Sequence, residues 1–410
     1  MHSLFAMMLI LALSLSFLEI QHQEQGLNVS SVHALQHPQQ QQQDLPDNLK
    51  EGPSFTFNAA LSFLYSASYN LLNTSYVSDT SKSQGIVPDN INVAISNELA
   101  LKEFSVPLGS RPHDVAPSLS DTNIVWYTAQ ALGELGKLNT STGKTHHISL
   151  GPGSAPHGVI VGPDGAPWIT DGGLNAIVRV DPVTEDVEIF PLPEGSSPFA
   201  NLNTATFDKN GALWFTGQSG IYGRLYPSNG HMDIFEAPRG PGPYGISVTP
   251  NGAVYFASLA GSYIARIDSQ TGAATVIEPP TPDQGARRVW SDSQGHIWVS
   301  EWNVGKLGMY SPEDDRWKEW HLPGDNPMPY AVYVDEKDKV WLSDFGANSF
   351  VRFDQIKESF ETFTIPSQGS NVRQILGKPG EIWGAESGTD KLVLIHTESI
   401  ATYGKETTSK

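Results

Sequence analysis

The chain has 410 residues, 38 glycines, 29 prolines and no cysteine, and its 25 basic and 44 acidic side chains give a formal net charge of −19. Without cysteine there can be no disulfide, thiolate nucleophile or cysteine-ligated zinc. A surface this acidic repels phosphate backbones and anionic lipid, so nucleic acid is not expected as a partner.

In chain order, the apolar run LFAMMLILALSLSFL at residues 4–18 matches the hydrophobic region of a signal sequence. It predicts a signal peptide or N-terminal anchor over residues 1–34 and an exported protein, whether secreted, periplasmic or at the cell surface. QHPQQQQQD, residues 36–44, opens a low-complexity linker, and residues 35–98 carry no assignable task.

From residue 99 the sequence repeats. Aromatic residues return at Trp126, Trp168, Trp214, Tyr255, Trp298, Trp341 and Trp383, at intervals of 41 to 46 residues. Each unit carries four alternating apolar runs bounded by Gly, Pro, Asn or Asp, which read as strands. HGVIV, YGISV and YAVYV are first strands, and APWIT, ALWFT and HIWVS are second strands across a tight turn. Four antiparallel strands at this period make a propeller blade. The seventh unit lacks a fourth strand, and LALKEFSVPLG at residues 99–109 supplies one from the other end of the repeat. The sequence therefore predicts an all-β, seven-bladed propeller over residues 99–403, closed by its N-terminal strand, with a short tail at 404–410. Its tryptophans are expected as core between blades.

The hairpin APHGVIVGPDGAPWITD, residues 155–171, shows where chemistry can sit. Its turn lies midway between His157 and Asp171, so a regular ladder would bring imidazole and carboxylate together at the open end. In a propeller that end faces the central channel. First-strand starts around the ring supply His113, His157, Phe199, Tyr244, Arg287 with Arg288, Tyr330 and Arg373. Second-strand ends supply Ala129, Asp171, Gly217, Ser258, Glu301, Asp344 and Glu386. Three of the carboxylates, Glu301, Asp344 and Glu386, could hold a hard cation such as Mg²⁺ or Ca²⁺. His157 or His113 could serve as base near its ordinary pKa, with Tyr330 as a further catalytic candidate. Arg287, Arg288, Arg373, Tyr244 and Asp171 are candidates for ligand binding. The competing reading pairs each carboxylate with an arginine of its own or a neighbouring blade. Motifs for serine hydrolases, zincins and nucleotide enzymes are absent.

PHGVIVGPDGAPWITDGGLNAIVRVDP and RRVWSDSQGHIWVSEWNVGKLGMYSP resemble repeats of the streptogramin (virginiamycin B) lyase family. The resemblance implies a Mg²⁺-dependent carbon–oxygen lyase that opens a cyclic ester by proton abstraction and elimination, without water. In those lyases the last blade begins with Glu-Pro-His and ends its second strand with Glu. The two glutamates hold Mg²⁺ and the histidine helps as base. This chain keeps Glu386 but reads SNVRQI at the blade start, and it has Tyr330 where the lyases have His and His113 where they have Tyr. Three functions follow as alternatives: a metal-assisted lyase on a cyclic ester or lactone, a lactonase of the gluconolactonase type, or a non-catalytic propeller binding an anion. A monomer with a small-molecule partner is expected in each case.

Overall fold

Twenty-eight strands, β1 to β28, form seven four-stranded antiparallel sheets in this computed structural model, which describes Leu99 and residues 101–397. The expected signal or anchor, the linker and the C-terminal tail lie outside the described residues. Among those described, no helix is long and apolar enough to cross a membrane.

Six sheets take their strands in chain order. The seventh joins β26 (Val372–Lys378), β27 (Glu381–Glu386) and β28 (Lys391–His396) to β1 (Leu101–Ser105). β1 runs antiparallel to β28, Leu101 facing Ile395 and Ser105 facing Lys391. Lys391 Nζ binds Glu103 at 2.6 Å across this seam, and Phe104 packs on Trp383 at 5.4 Å between ring centroids. The ring thus closes as its repeat requires, with the missing fourth strand supplied from the start of the propeller.

Each second strand places its aromatic between blades. Trp126, Trp168, Trp214, Tyr255, Trp298, Trp341 and Trp383 are at most 3 % exposed. Trp298 packs with Val332, Val340 and Phe353 of the next blade, and Trp341 with Ile375 and Ile382 of the one after. A buried indole N–H usually finds a partner. Trp214, Trp298 and Trp341 donate to Asp208, Asp292 and Asp335 at 2.8–3.0 Å, each an aspartate of the preceding turn.

The inner strands share one irregularity. They are β2 (Pro112–Pro117), β6 (Pro156–Val161), β10 (Leu202–Phe207), β14 (Pro243–Val248), β18 (Ala286–Ser291), β22 (Pro329–Val334) and β26. In all seven, register shifts directly after the first paired residue. A bulge of this kind adds a residue and re-aims its side chain. Hydroxyls pin it. Ser300 Oγ accepts from Arg288 N–H at 3.0 Å and donates to the carbonyl of Tyr330, in the next blade, at 2.9 Å. Thr128 does the same between Asp114 N–H and His157 carbonyl. Thr170 and Thr216 repeat the pattern towards Asn203 and Tyr244. Ser300→Ala would strand a buried donor and acceptor at once. It should cost about 1–3 kcal/mol, read as a lower denaturant midpoint with unchanged slope; an unshifted midpoint would show that the hydroxyl pins nothing.

Candidate functional site in the central funnel

The bulge decides what enters the channel. Asp171 pairs with Pro156, not His157, and Glu301 with Ala286, not Arg287. The extra residue puts the imidazole and the guanidinium one place out of the regular ladder. The expected meeting of His157 with Asp171 therefore does not occur. Asp171 instead ties down its own loops, accepting from Ser154 Oγ and from the N–H groups of Ala155, Gly173 and Leu174. Asp344 does likewise with Met328 and Gly346 N–H at 2.7 and 2.9 Å.

The other two carboxylates also lie inside their own blades. Glu301 packs over Gly308, where an added Cβ would come within 2.5 Å of its Oε1, and both its oxygens lack hydrogen bonds. Burial, reinforced by the charge of Glu319, pushes it up to about 8. Glu386 bonds Thr389 at 2.5 Å, and burial raises it to about 7. Glu301, Asp344 and Glu386 do not gather as a ligand set. Among the described residues the three metal-ligating groups that do gather are His113, Asp114 and His157, all buried.

The ring itself holds His113, His157, Tyr244, Arg287, Tyr330 and Arg373, as expected, but blade three contributes Asn203 rather than Phe199. Phe199 lies on the preceding loop, 81 % exposed. Asn203 precedes Gly217 by the interval that separates Tyr244 from Ser258 and Tyr330 from Asp344, a signal that would have found it.

Blades one to three form one half of the site. His113 Nδ1 lies 2.7 Å from Asp114 Oδ1, and the His113 and His157 rings are 3.7 Å apart. His157 meets the Asn203 carbonyl through Nδ1 and the Asn203 amide through Nε2, both at 3.2 Å. Burial lowers both histidines well below their ordinary value; the nearby arginines lower them further, and for His157 the adjacent His113 does too. Both therefore favour the neutral imidazole and are not bases poised near the ordinary value.

Blades four to seven form the other half. Tyr244 and Tyr330 meet oxygen to oxygen at 2.5 Å. Arg287 donates to Tyr244 at 3.1 Å and lies 3.6 Å over the Tyr330 ring, with Trp302 at 4.5 Å. Phe345 stacks on Tyr330 at 4.8 Å. Arg373 donates Nε–H to Ser387 at 2.8 Å and sits 5.8 Å from the Tyr330 ring centre. Arg288 forms the floor, bonded to Thr204 at 2.6 Å and Asp114 at 3.2 Å. Beneath that pair the channel continues as a cavity of about 60 Å³ lined by Thr206, Ile246, Trp290, Val332 and Leu376. Asp114, Asn203, Thr204, Trp302 and Phe345 were not singled out from sequence.

Desolvation would raise both phenols. For Tyr330 the three guanidiniums overcome it and draw the group down, whereas Tyr244 is pushed up by burial and by the neighbouring phenol.

These features define a β-propeller with a polar, cation-rich cluster of reactive groups where its inner strands begin. The chain belongs to the Virginiamycin B lyase family, whose profile matches residues 99–395. A virginiamycin B lyase from Nocardia farcinica is 26% identical over 217 residues, 53% of this chain and 72% of that one. A gluconolactonase from Zymomonas mobilis is 32% identical over 117 residues, 24% of this chain; the match spans about a third (32%) of that relative's length. The solved structure of a catalytically inactive virginiamycin B lyase from Staphylococcus aureus with quinupristin has a TM-score of 0.67 at 23% identity, covering 73% of this chain and 99% of that one. At that identity it shows the shared fold.

The family's Mg²⁺ does not fit this donor set. The oxygen ligands such an ion prefers are held in separate blades, while the gathered set is mostly nitrogen and its carboxylate is occupied by Arg288. The pH dependence of Glu301 checks its placement. Its folded value lies above its unfolded one, so its stabilising effect is complete below about 4.5 and is lost as pH rises to about 8. That loss runs at up to about 1.4 kcal/mol per unit. Glu301→Gln should match the parent near the lower pH and exceed it in denaturation midpoint near the upper; parallel curves would place the carboxyl in solvent.

Proposed function

We propose that this chain is a carbon–oxygen lyase that takes a small cyclic ester or lactone, other than a streptogramin, into its central funnel. The observation that carries the reading is the convergence of Arg287, Arg288 and Arg373 with two phenols and two neutral imidazoles, in a chain otherwise strongly acidic. Elimination removes a proton from the carbon next to the alkyl carbon that bears the ester oxygen. A C=C bond forms, the C–O bond breaks, and its electron pair leaves on a carboxylate. A base and fixed cations are what that step asks of a protein. Arg287 and Arg373 are half-buried, and in this reading they stabilise the charge that develops on the carboxylate. Arg373 and Tyr330 stand where streptogramin lyases carry histidine, which is why the proposal names a different ester. No step is drawn through Mg²⁺.

The gluconolactonase relative supports one second reading, hydrolysis of the same substrate class. Mass spectrometry in ¹⁸O-labelled water over a panel of cyclic esters separates the two. Elimination opens the ring with no change of mass and no label; hydrolysis adds labelled water. Arg287→Gln should lower kcat/KM by about 10²–10³-fold. A panel with no ring opening at all would sink both enzymatic readings and leave an anion-binding propeller.

A further inference from the structure

Two imidazoles meet at the heads of β2 and β6, and their hydrogen bonds tell them apart. His157 Nδ1 faces the Asn203 carbonyl, which can only accept, so that nitrogen carries the proton. Its Nε2 then accepts from the Asn203 side-chain amide. The amide is oriented from behind. Arg288 Nη1 donates to Thr204 Oγ1 at 2.6 Å, and that hydroxyl donates in turn to Asn203 Oδ1 at 2.8 Å. Both ring nitrogens of His157 are therefore committed inside the protein. His113 differs. Its Nδ1 lies 2.7 Å from Asp114 Oδ1, and among the described residues its ring has no other hydrogen-bond partner. Arg288 Nη2 reaches both oxygens of Asp114, at 3.2 and 3.5 Å, and favours the carboxylate. Thr128 ties the two histidine strands together, bonding the Asp114 N–H and the His157 carbonyl.

We propose that Asp114 is a positioning residue that keeps the proton of His113 on Nδ1 and the lone pair on Nε2, so that His113, not His157, takes the proton from a bound cyclic ester. The proposal rests on reading the funnel as a carbon–oxygen lyase site. In the elimination the C–H electron pair becomes the C=C bond, the proton goes to His113 Nε2, and the C–O pair leaves on the carboxylate. The imidazolium so formed keeps its Nδ1–H on Asp114, whose negative charge offsets it among the arginines, and it then returns the proton to solvent. His113 stands where the streptogramin lyases carry tyrosine, so the base lies on the first blade and not on the last.

Nitrogen-15 NMR of the full chain labelled at histidine reads the tautomer without turnover, His113→Gln assigning the signals. The expected result is a protonated Nδ1 and a bare Nε2 on His113. In Asp114→Asn the amide keeps its oxygen towards Arg288 and offers N–H to Nδ1, so the ring proton should move to Nε2, a change that a merely structural role would not produce. Over a panel that includes δ-valerolactone and β-butyrolactone, the same variant should lower kcat for ring opening by about 10²–10⁴-fold and change KM far less. Added imidazole should restore turnover to His113→Ala and not to His157→Ala. A His113 ring with its proton on Nε2 in the unaltered chain, or rescue of His157→Ala instead, would overturn the proposal and leave the funnel as the lyase site. A panel with no ring opening would overturn both.

Discussion

Everything polar on the axis of this protein hangs on the bulge at the head of each inner strand. A regular antiparallel ladder would alternate side chains between the two faces of a blade and leave few pointing down the channel. The inserted residue breaks that alternation once per blade, at the same place, and turns its side chain inward. Such an irregularity exposes a backbone N–H that must be satisfied. The penultimate residue of the second strand supplies the acceptor, Thr128, Thr170, Thr216, Ser300 and Ser343 in their respective blades. In four of these the same hydroxyl also donates to the carbonyl of the next blade's ring residue. Each such hydroxyl therefore ties one ring residue to its neighbour in the next blade.

The architecture was legible because it is written many times over. Seven aromatics at one period, four strand patterns per unit and a spare strand at the other end leave a single topology, and β1 pairs with β28 as that topology demands. Most of the ring was legible too, since a residue at the start of an inner strand can point in only one useful direction. What the sequence did not yield was the half-step that the bulge introduces. Counting evenly from the turn placed His157 against Asp171, and the same count left Glu301, Asp344 and Glu386 facing the channel. In the structure Glu301 lies in its blade's interior and Asp344 caps a loop, while Glu386 bonds Thr389. The hydroxyls were visible in WITD, WFTG, WVSE and WLSD, but a threonine or serine before a strand end has no distinctive signature until its two partners are known.

Electrostatics explains how a buried and a half-buried arginine share one funnel. A buried guanidinium needs compensation for the water it loses, and an unpaired charge in the interior is expensive. Arg288 obtains it from Asp114 and Thr204. Arg287 obtains it from the faces of Tyr244, Trp302 and Tyr330, a cation–π enclosure that leaves the charge in place while screening it from solvent. The histidines adjust in the opposite sense. Tilted against one another beside these cations, they favour the neutral form, since protonating either would add a fourth positive charge to a desolvated cluster.

The same reasoning links the departures from the lyase pattern to one another. Placing Arg373 where the related enzymes carry a histidine adds a fixed cation to the last blade, and a divalent metal beside it would meet repulsion instead of a carboxylate pair. Once a guanidinium stands there, a neighbouring imidazole at the head of blade six would be driven neutral as His113 and His157 are. A phenol at that position responds differently. Tyrosine becomes charged by losing a proton, so cations that suppress an imidazolium favour a phenolate. Tyr330 beside Arg287 and Arg373 is the ring residue whose ionised form the cations of blades five and seven favour.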